Sequence, residues 1–172
     1  MQFATAKSSD IDALHKLIEC AYRGDSARKG WTHEADLLGG QRTDREALLE
    51  IVKDENQVIL LALADNILTG CVQLSRVTDT VSYLGLLTVN PEMQAGGIGK
   101  QIIAAAEQFV REKWSSGMME MTVIDKRSDL IAYYERRGYQ RTGETRPFPM
   151  DDPRFGLPKT KELEFIVLRK AL

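Results

Sequence analysis

The sequence predicts a mixed α/β fold of the α+β kind, a mostly antiparallel central sheet of about six to seven strands flanked by helices. Three observations predict it. The apolar runs Gln57 to Ala64, Gly70 to Val77 and Val81 to Val89 have strand character, and the connections between them, Ala64-Asp65-Asn66 and Thr78-Asp79-Thr80, are short enough for antiparallel hairpins. The last run leads through a glycine-rich loop and a helix-periodic stretch into Met118 to Ile124, a crossover that sets two strands parallel in one sheet. Amphipathic segments before and after the three runs supply the flanking helices.

Element by element, residues 2–6 form a short first strand. Ser9-Asp10-Ile11-Asp12 offers a capping box, and Ile11, Leu14, Leu17, Ile18 and Ala21 follow at helical spacing, so residues 10–22 form a helix. Residues 23–42, with Gly24, Gly30, Gly39 and Gly40, read as irregular chain broken by a short helical piece around Glu34 to Leu38. A second capping box, Thr43-Asp44-Arg45-Glu46, opens a helix to about Lys53. The three strand runs end at Asn90-Pro91, because proline cannot donate to the ladder. Ile98, Ile102, Ala106, Phe109 and Val110 recur at helical spacing and predict a helix that closes near Gly117. After the strand Met118 to Ile124, Ser128 is expected to cap a helix reaching Arg137, stopped by Gly138. Tyr139 to Thr142, a proline-rich loop from Thr145 to Lys161, and a last strand, Leu163 to Leu168, complete a single domain, 1–172.

Composition narrows the function. The chain has 172 residues, 43% hydrophobic and 28% charged, which excludes a disordered or fibrous chain. Its formal charge of −2 argues against nucleic acid as the main partner. Cys20 and Cys71 lie far apart without neighbouring ligand residues, so they read as small core residues and no metal is expected. The N-terminus lacks a basic region followed by an apolar run, and no stretch approaches the roughly 18 apolar residues of a membrane span, so a cytoplasmic protein with no membrane partner is expected.

The loop Gln94-Ala95-Gly96-Gly97-Ile98-Gly99-Lys100 leads from a strand into a helix, where backbone N–H groups and the helix dipole can hold an anion such as phosphate. A Walker A loop would need glycine at 94 and Ser or Thr at 101, and the chain has Gln94 and Gln101. A dinucleotide fingerprint starting at Gly97 fails at Ile102, although Glu120 lies near the distance of a ribose-binding acid. Taken alone, the three glycines read as a tight turn as readily as a phosphate cradle.

They do not stand alone. Gln94, Gly97 and Gly99, following Leu86-Leu87-Thr88-Val89-Asn90-Pro91, resemble the acetyl-CoA motif Q/R-x-x-G-x-G/A of the GNAT superfamily of N-acyltransferases. Leu130-Ile131-Ala132-Tyr133-Tyr134-Glu135-Arg136-Arg137-Gly138-Tyr139 resembles the second signature of that family, a tyrosine-bearing helix that ends at glycine and an aromatic residue. The order of elements is similar over essentially the whole chain.

The resemblance implies acetyl-CoA as co-substrate, with its pyrophosphate on residues 94–100 and its pantetheine arm between splayed parallel strands, near the main chain of Leu87 and Val89. A backbone N–H near Leu87 would stabilise the oxyanion. Tyr134 matches the family tyrosine that protonates the departing thiolate, while Tyr133, about 100° round the helix, is free to pack. Many members carry Asn where this chain has Arg127, so Arg127 is expected to reach a cofactor phosphate or an acidic acceptor instead. The base stays open among Glu34, Glu120 and relayed water. His15 and His33 read as solvated or packed. The loop Arg146 to Pro158, with four prolines, is expected to form an ordered wall of the acceptor site. The leading function is acetyl transfer to a primary amine of a small molecule or peptide. A non-catalytic acyl-CoA sensor and a dinucleotide oxidoreductase are the alternatives, and a homodimer stays open.

Overall fold

The chain's hairpins fix the sheet. In the computed structural model, which describes residues 1–23, 27–29 and 34–172, Asp65 and Asn66 have φ of 49° and 63°. Two successive left-handed residues make the hairpin turn whose twist matches that of its strands. This turn pairs Ala64 with Ile67, so β3 (Gln57–Ala64) and β4 (Ile67–Arg76) run to its very edge. β4 therefore starts three residues before Gly70, where the sequence pattern put it.

Seven strands make one sheet in the order β1-β3-β4-β5-β6-β9-β7, where β1 is Gln2–Thr5, β5 Val81–Val89, β6 Met118–Ile124, β7 Gln140–Pro147 and β9 Glu164–Ala171. All neighbours are antiparallel except β5 and β6, which are parallel as the crossover requires. A small second sheet pairs β2 (Leu38–Gly39) with β8 (Leu157–Pro158).

Both faces of the sheet are covered, which is why its central strands read as continuous apolar runs and not as alternating ones. The helices α1 (Ile11–Tyr22) and α2 (Arg45–Lys53) pack Leu14, Ile18 and Leu48 onto Ile59, Leu61 and Cys71 of one face. α3 (Ile98–Trp114) and α4 (Ser128–Glu135) lay Ile102, Ala106 and Ile131 over Leu60, Leu74 and Met121 of the other. α3 approaches β4 closely at Gly70, where an added Cβ would lie 2.6 Å from both Ile102 Cδ1 and the Thr88 carbonyl oxygen.

The helix starts differ from the expected caps. α1 is entered through a 3-10 turn at Ser8–Asp10, and the Lys7 N–H donates to the Asp10 carboxylate at 2.8 Å, so Ser9 does not cap it. The cap of α2 is Asp44, which accepts from the Ala47 N–H at 2.7 Å. Thr43 is buried instead, its N–H donating to Glu19 at 2.9 Å. α4 is capped by the backbone of Arg127, and Ser128 is its first residue. The helix closes through Gly138, whose φ is 90° and whose N–H donates to Glu135. The expected helical piece at Glu34 is a single turn, with the Leu37 and Leu38 N–H groups both donating to the Glu34 carbonyl.

The segment after Thr142 departs most from expectation. Thr145 to Pro147 belong to β7 and pair with Ile166 to Glu164, and the chain beyond them holds a 3-10 turn at Pro153–Phe155 before β8. An edge strand tolerates proline, since its outer N–H side needs no partner.

Asp44→Ala should lower stability by about 1 kcal/mol through loss of the α2 cap. Urea denaturation followed by circular dichroism measures it, with Thr43→Ser as the control for the residue that does not cap.

Candidate active site

The site begins where two strands part. β5 and β6 pair only over Val81–Tyr83 with Met118–Glu120. Beyond that point β5 follows β4 and β6 follows β9 as far as Ile124, so a gap opens between them. At the mouth of the gap the Tyr83 and Thr122 hydroxyls hydrogen-bond across it at 2.7 Å.

On β5 the gap is shaped by a bulge. Cys71 pairs with Thr88 and Gln73 with Gly85, so Leu86 and Leu87 together face Val72. Leu86 has φ of 47°, a conformation that disfavours a side chain. Two contacts pin it: the Thr88 hydroxyl donates to the Leu86 carbonyl at 2.9 Å, and the Tyr22 hydroxyl of α1 donates to the Leu87 carbonyl at 2.6 Å. The bulge sends Leu86 into the α1 core while Leu84, Leu87 and Val89 face α3.

After β5, Asn90 accepts from the Glu92 N–H at 3.0 Å and opens a 3-10 turn over Pro91–Gly96. Gly97, at φ 66°, then caps α3 with no side-chain bond to the first helical N–H groups. Among the described residues no side chain caps those donors, and a helix start of this kind suits an anion. A Cβ on Gly97 would meet nothing within 4 Å, so the space before α3 is open. Ile98 is buried and anchors the turn to the core, Gly99 is buried beside it, and Lys100 is exposed. The side chains of Gln94 and Ala95 lie outside the described part.

Across the gap, Tyr134 on α4 is buried and borders the cleft. Burial pushes its phenol well above the usual 10; nearby Tyr22 and Tyr133 add to this, and Arg127 opposes it. Tyr133 turns away and lies under the Arg137 guanidinium, 3.2 Å from the ring centre. The two adjacent tyrosines thus diverge as helical geometry requires. Arg127 stands at the head of α4 on the cleft wall, its N–H donating to Ile124 at 2.9 Å.

The cleft has a volume of about 540 Å³. Its lining includes Glu34, Arg42, Gln73, Tyr83 and Thr122, with Phe148, Pro149 and Arg154 from the segment after β7. Glu34 binds Arg23 at 2.7 Å. Glu120 does not border the cleft. It meets Arg146 at 2.8 Å and Arg169 at 2.7 Å. Burial would raise its pKa, but the bonds from the two arginines outweigh this and hold it below the carboxylate range. His15 is half-buried on α1, away from the cleft, and His33 lies outside the described residues.

Sequence reasoning missed Tyr22 and Arg42. Tyr22 reads only as the last apolar position of α1, and Arg42 belongs to no motif, so neither carries a local signal.

The site thus joins parting parallel strands, a bulge at the gap and a glycine-capped helix beside it. Residues 11–139 match the acetyltransferase (GNAT) family, and the chain belongs to it. Solved structures agree in fold. A ribosomal-protein-alanine N-acetyltransferase from Brucella melitensis is 16% identical over 100% of both chains with a TM-score of 0.73. A putative acetyltransferase from Salmonella typhimurium, solved with its cofactor acetyl-CoA, is 15% identical over 100% of this chain and 94% of its own, at 0.71. An N-acetyltransferase from Thermoplasma acidophilum in complex with coenzyme A is 17% identical over 100% of both chains, at 0.64. No curated protein matches the sequence. Among the described residues no helix is long and apolar enough to cross a membrane.

Burial raises the Tyr22 phenol from 10 to about 12, with Arg42 opposing. The folded state therefore holds this proton more tightly than the unfolded state, so the contribution is complete below pH 10 and is lost as pH rises through 12. Tyr22→Phe should cost about 1 kcal/mol near neutral pH. Denaturation curves of both proteins from pH 8 to 12 should converge; a stability gap that widened with pH would contradict the assignment.

Proposed function

We propose that the protein moves an acetyl group from acetyl-CoA to a primary amine of a small molecule or peptide by direct attack. The observation that carries this reading is the gap between β5 and β6 beyond Tyr83, with Tyr134 on one side and the bulge on the other. The thioester supplies the activated acetyl group, and the chain supplies everything else.

Two features fit the co-substrate. Open space at Gly97 and the uncapped start of α3 suit a pyrophosphate held by the backbone of Gln94, Ala95, Gly96, Gly97, Ile98, Gly99 and Lys100. The gap suits an extended arm that pairs with main-chain groups near Leu87 and Val89. Arg127, at the head of α4 on the cleft wall, suits a cofactor phosphate or an acidic acceptor.

In the reaction the amine nitrogen bonds to the thioester carbon while the carbonyl π pair moves onto oxygen. A backbone N–H near Leu87 donates to that oxygen, and the Tyr22 bond to the Leu87 carbonyl holds this stretch of backbone still. The C–S bond then breaks and Tyr134 donates its proton to sulfur. The proton released by nitrogen returns to the Tyr134 oxygen, directly or through water, so the balance closes. The raised pKa of Tyr134 keeps it protonated while the amine attacks. Glu34 and Glu120 are each engaged by guanidiniums, and the bonds from Arg146 and Arg169 weaken Glu120 as a base.

Coenzyme A at 100 times its dissociation constant should stabilise the fold by about 2.7 kcal/mol, read as a raised melting temperature. NAD should not; stabilisation by NAD alone would replace this reading with a dinucleotide one. Tyr134→Phe should lower turnover by roughly 10²- to 10⁴-fold with little change in coenzyme A affinity. Tyr133→Phe should cost far less. Equal turnover in wild type and Tyr134→Phe, with chemistry limiting, would leave the proton to solvent.

A further inference from the structure

Arg42 is the residue in the cleft that the proposed chemistry does not use. Its side chain is 24% exposed and borders the cleft. The guanidinium carbon lies over the Tyr22 ring, 5.1 Å from its centre, and Tyr22 in turn bonds the Leu87 carbonyl. Arg42 thus stands one tyrosine side chain away from the bulge where the acetyl group is to be transferred.

The nearest acid does not satisfy it. Glu34 Oε2 is 2.7 Å from Arg23, itself 6% exposed, and 3.8 Å from Arg42, beyond hydrogen-bond reach. Among the described residues the Arg42 guanidinium makes no hydrogen bond, so a planar fork of donors is stacked in place beside a cavity. Charge in the cleft points the same way. Its described lining carries Arg42, Arg127 and Arg154 against Glu34 and Asp44, with Arg23 behind Glu34; Arg154 is paired with Asp152 at 3.3 Å, and Asp44 is engaged as the α2 cap, which leaves Arg42, Arg127 and Arg23 against Glu34. A cleft of this sign disfavours an ammonium standing alone and favours an acceptor that brings its own anion. Beside these charges the lining carries Gln73, Tyr83 and Thr122 and an apolar set, Leu38, Ile51, Leu86, Phe148 and Phe165.

We infer that the acceptor is a carboxylate-bearing primary amine with an apolar body, of the amino-acid class, whose carboxylate is held by Arg42 through a bidentate pair. This inference rests on the acetyl-transfer reading and adds the substrate class to it. The positive surroundings also lower the pKa of the acceptor's ammonium, which supplies the neutral nitrogen that the reaction needs without a carboxylate base.

The test measures thiol release from acetyl-CoA with matched sets: leucine, leucinamide and 3-methylbutylamine, then phenylalanine, its amide and 2-phenylethylamine. A charge-assisted pair should favour each acid over its amide by about 10- to 100-fold in kcat/KM. In Arg42→Gln the ratio of acid to amide should fall toward one, and in Arg42→Lys it should recover only in part, because an ammonium cannot form the fork. Circular dichroism and the KM for acetyl-CoA report whether the variants remain intact. Wild-type protein that acetylates amides and plain amines as well as acids would overturn the inference and leave acetyl transfer standing. So would an Arg42→Gln protein in which acid and amide fall together at a constant ratio, the mark of a merely structural arginine. Coenzyme A binding with no thiol release from any amine would overturn the acetyl-transfer reading itself, and the inference with it.

Discussion

The Tyr22 hydroxyl donates to the Leu87 carbonyl, and the site geometry depends on that contact. A parallel strand that leaves its partner after Tyr83 tends to close back on it, since every paired residue adds a hydrogen bond. The bulge prevents this by re-aiming β5. It places Leu86 at a positive φ, which costs about 1–2 kcal/mol for a residue with a side chain. Burial of the Leu86 side chain contributes about 1.5–3 kcal/mol, and the bonds from Tyr22 and Thr88 contribute about 1 kcal/mol each, so the strained form is the stable one. The hydroxyl that secures the bulge comes from α1, on the face opposite the helix that carries the glycine turn. The two layers therefore meet at one carbonyl.

The other side of the gap is held by a polar tie. Glu107 of α3 accepts from the Tyr139 hydroxyl at 3.0 Å and from Lys170 of β9 at 2.8 Å. Tyr139 follows directly on the turn at Gly138 that ends α4, so the tie fixes α3, α4 and β9 relative to one another. Tyr134 packs edge-on against Tyr139, with ring centres 6.0 Å apart. The position of the proposed acid is thus set by packing and an ion pair outside the cleft.

How much of this could be read from the sequence depends on how local each signal is. Helical spacing located α1 and α3, the short connections located the β3–β4 and β4–β5 hairpins, and proline at 91 ended β5, because each depends on neighbours a few residues away. The glycine turn and Tyr134 were legible because two motifs recur at fixed places. Caps were misread where several candidates stand in a row: at Thr43-Asp44 either residue can accept a helix N–H, and the choice falls to Asp44 because Thr43 is drawn inward to Glu19. β7 was cut short at Thr142 because Gly143 and the prolines read as loop, whereas an edge strand accommodates an irregularity between Arg141 and Thr145. Arg42 was invisible because its meaning lies in Tyr22 and Glu19, each about twenty positions back along the chain.

The same long-range contacts decide where the proton can travel. Both carboxylates that the sequence offered as bases are engaged by guanidiniums: Glu34 by Arg23 in a nearly enclosed pair, Glu120 by Arg146 and Arg169. Removing one member of an enclosed pair leaves an uncompensated charge and costs about 3–5 kcal/mol, so Glu34 and Arg23 stand as a structural unit. Phenols and guanidiniums also stand around the cleft, at Tyr22, Tyr134, Arg42 and Arg127. Such a set stabilises anions: a carbonyl oxygen gaining charge, a departing thiolate, a carboxylate on the acceptor. Under the proposed acetyl transfer, a bound amine would lose its proton because such surroundings disfavour an ammonium.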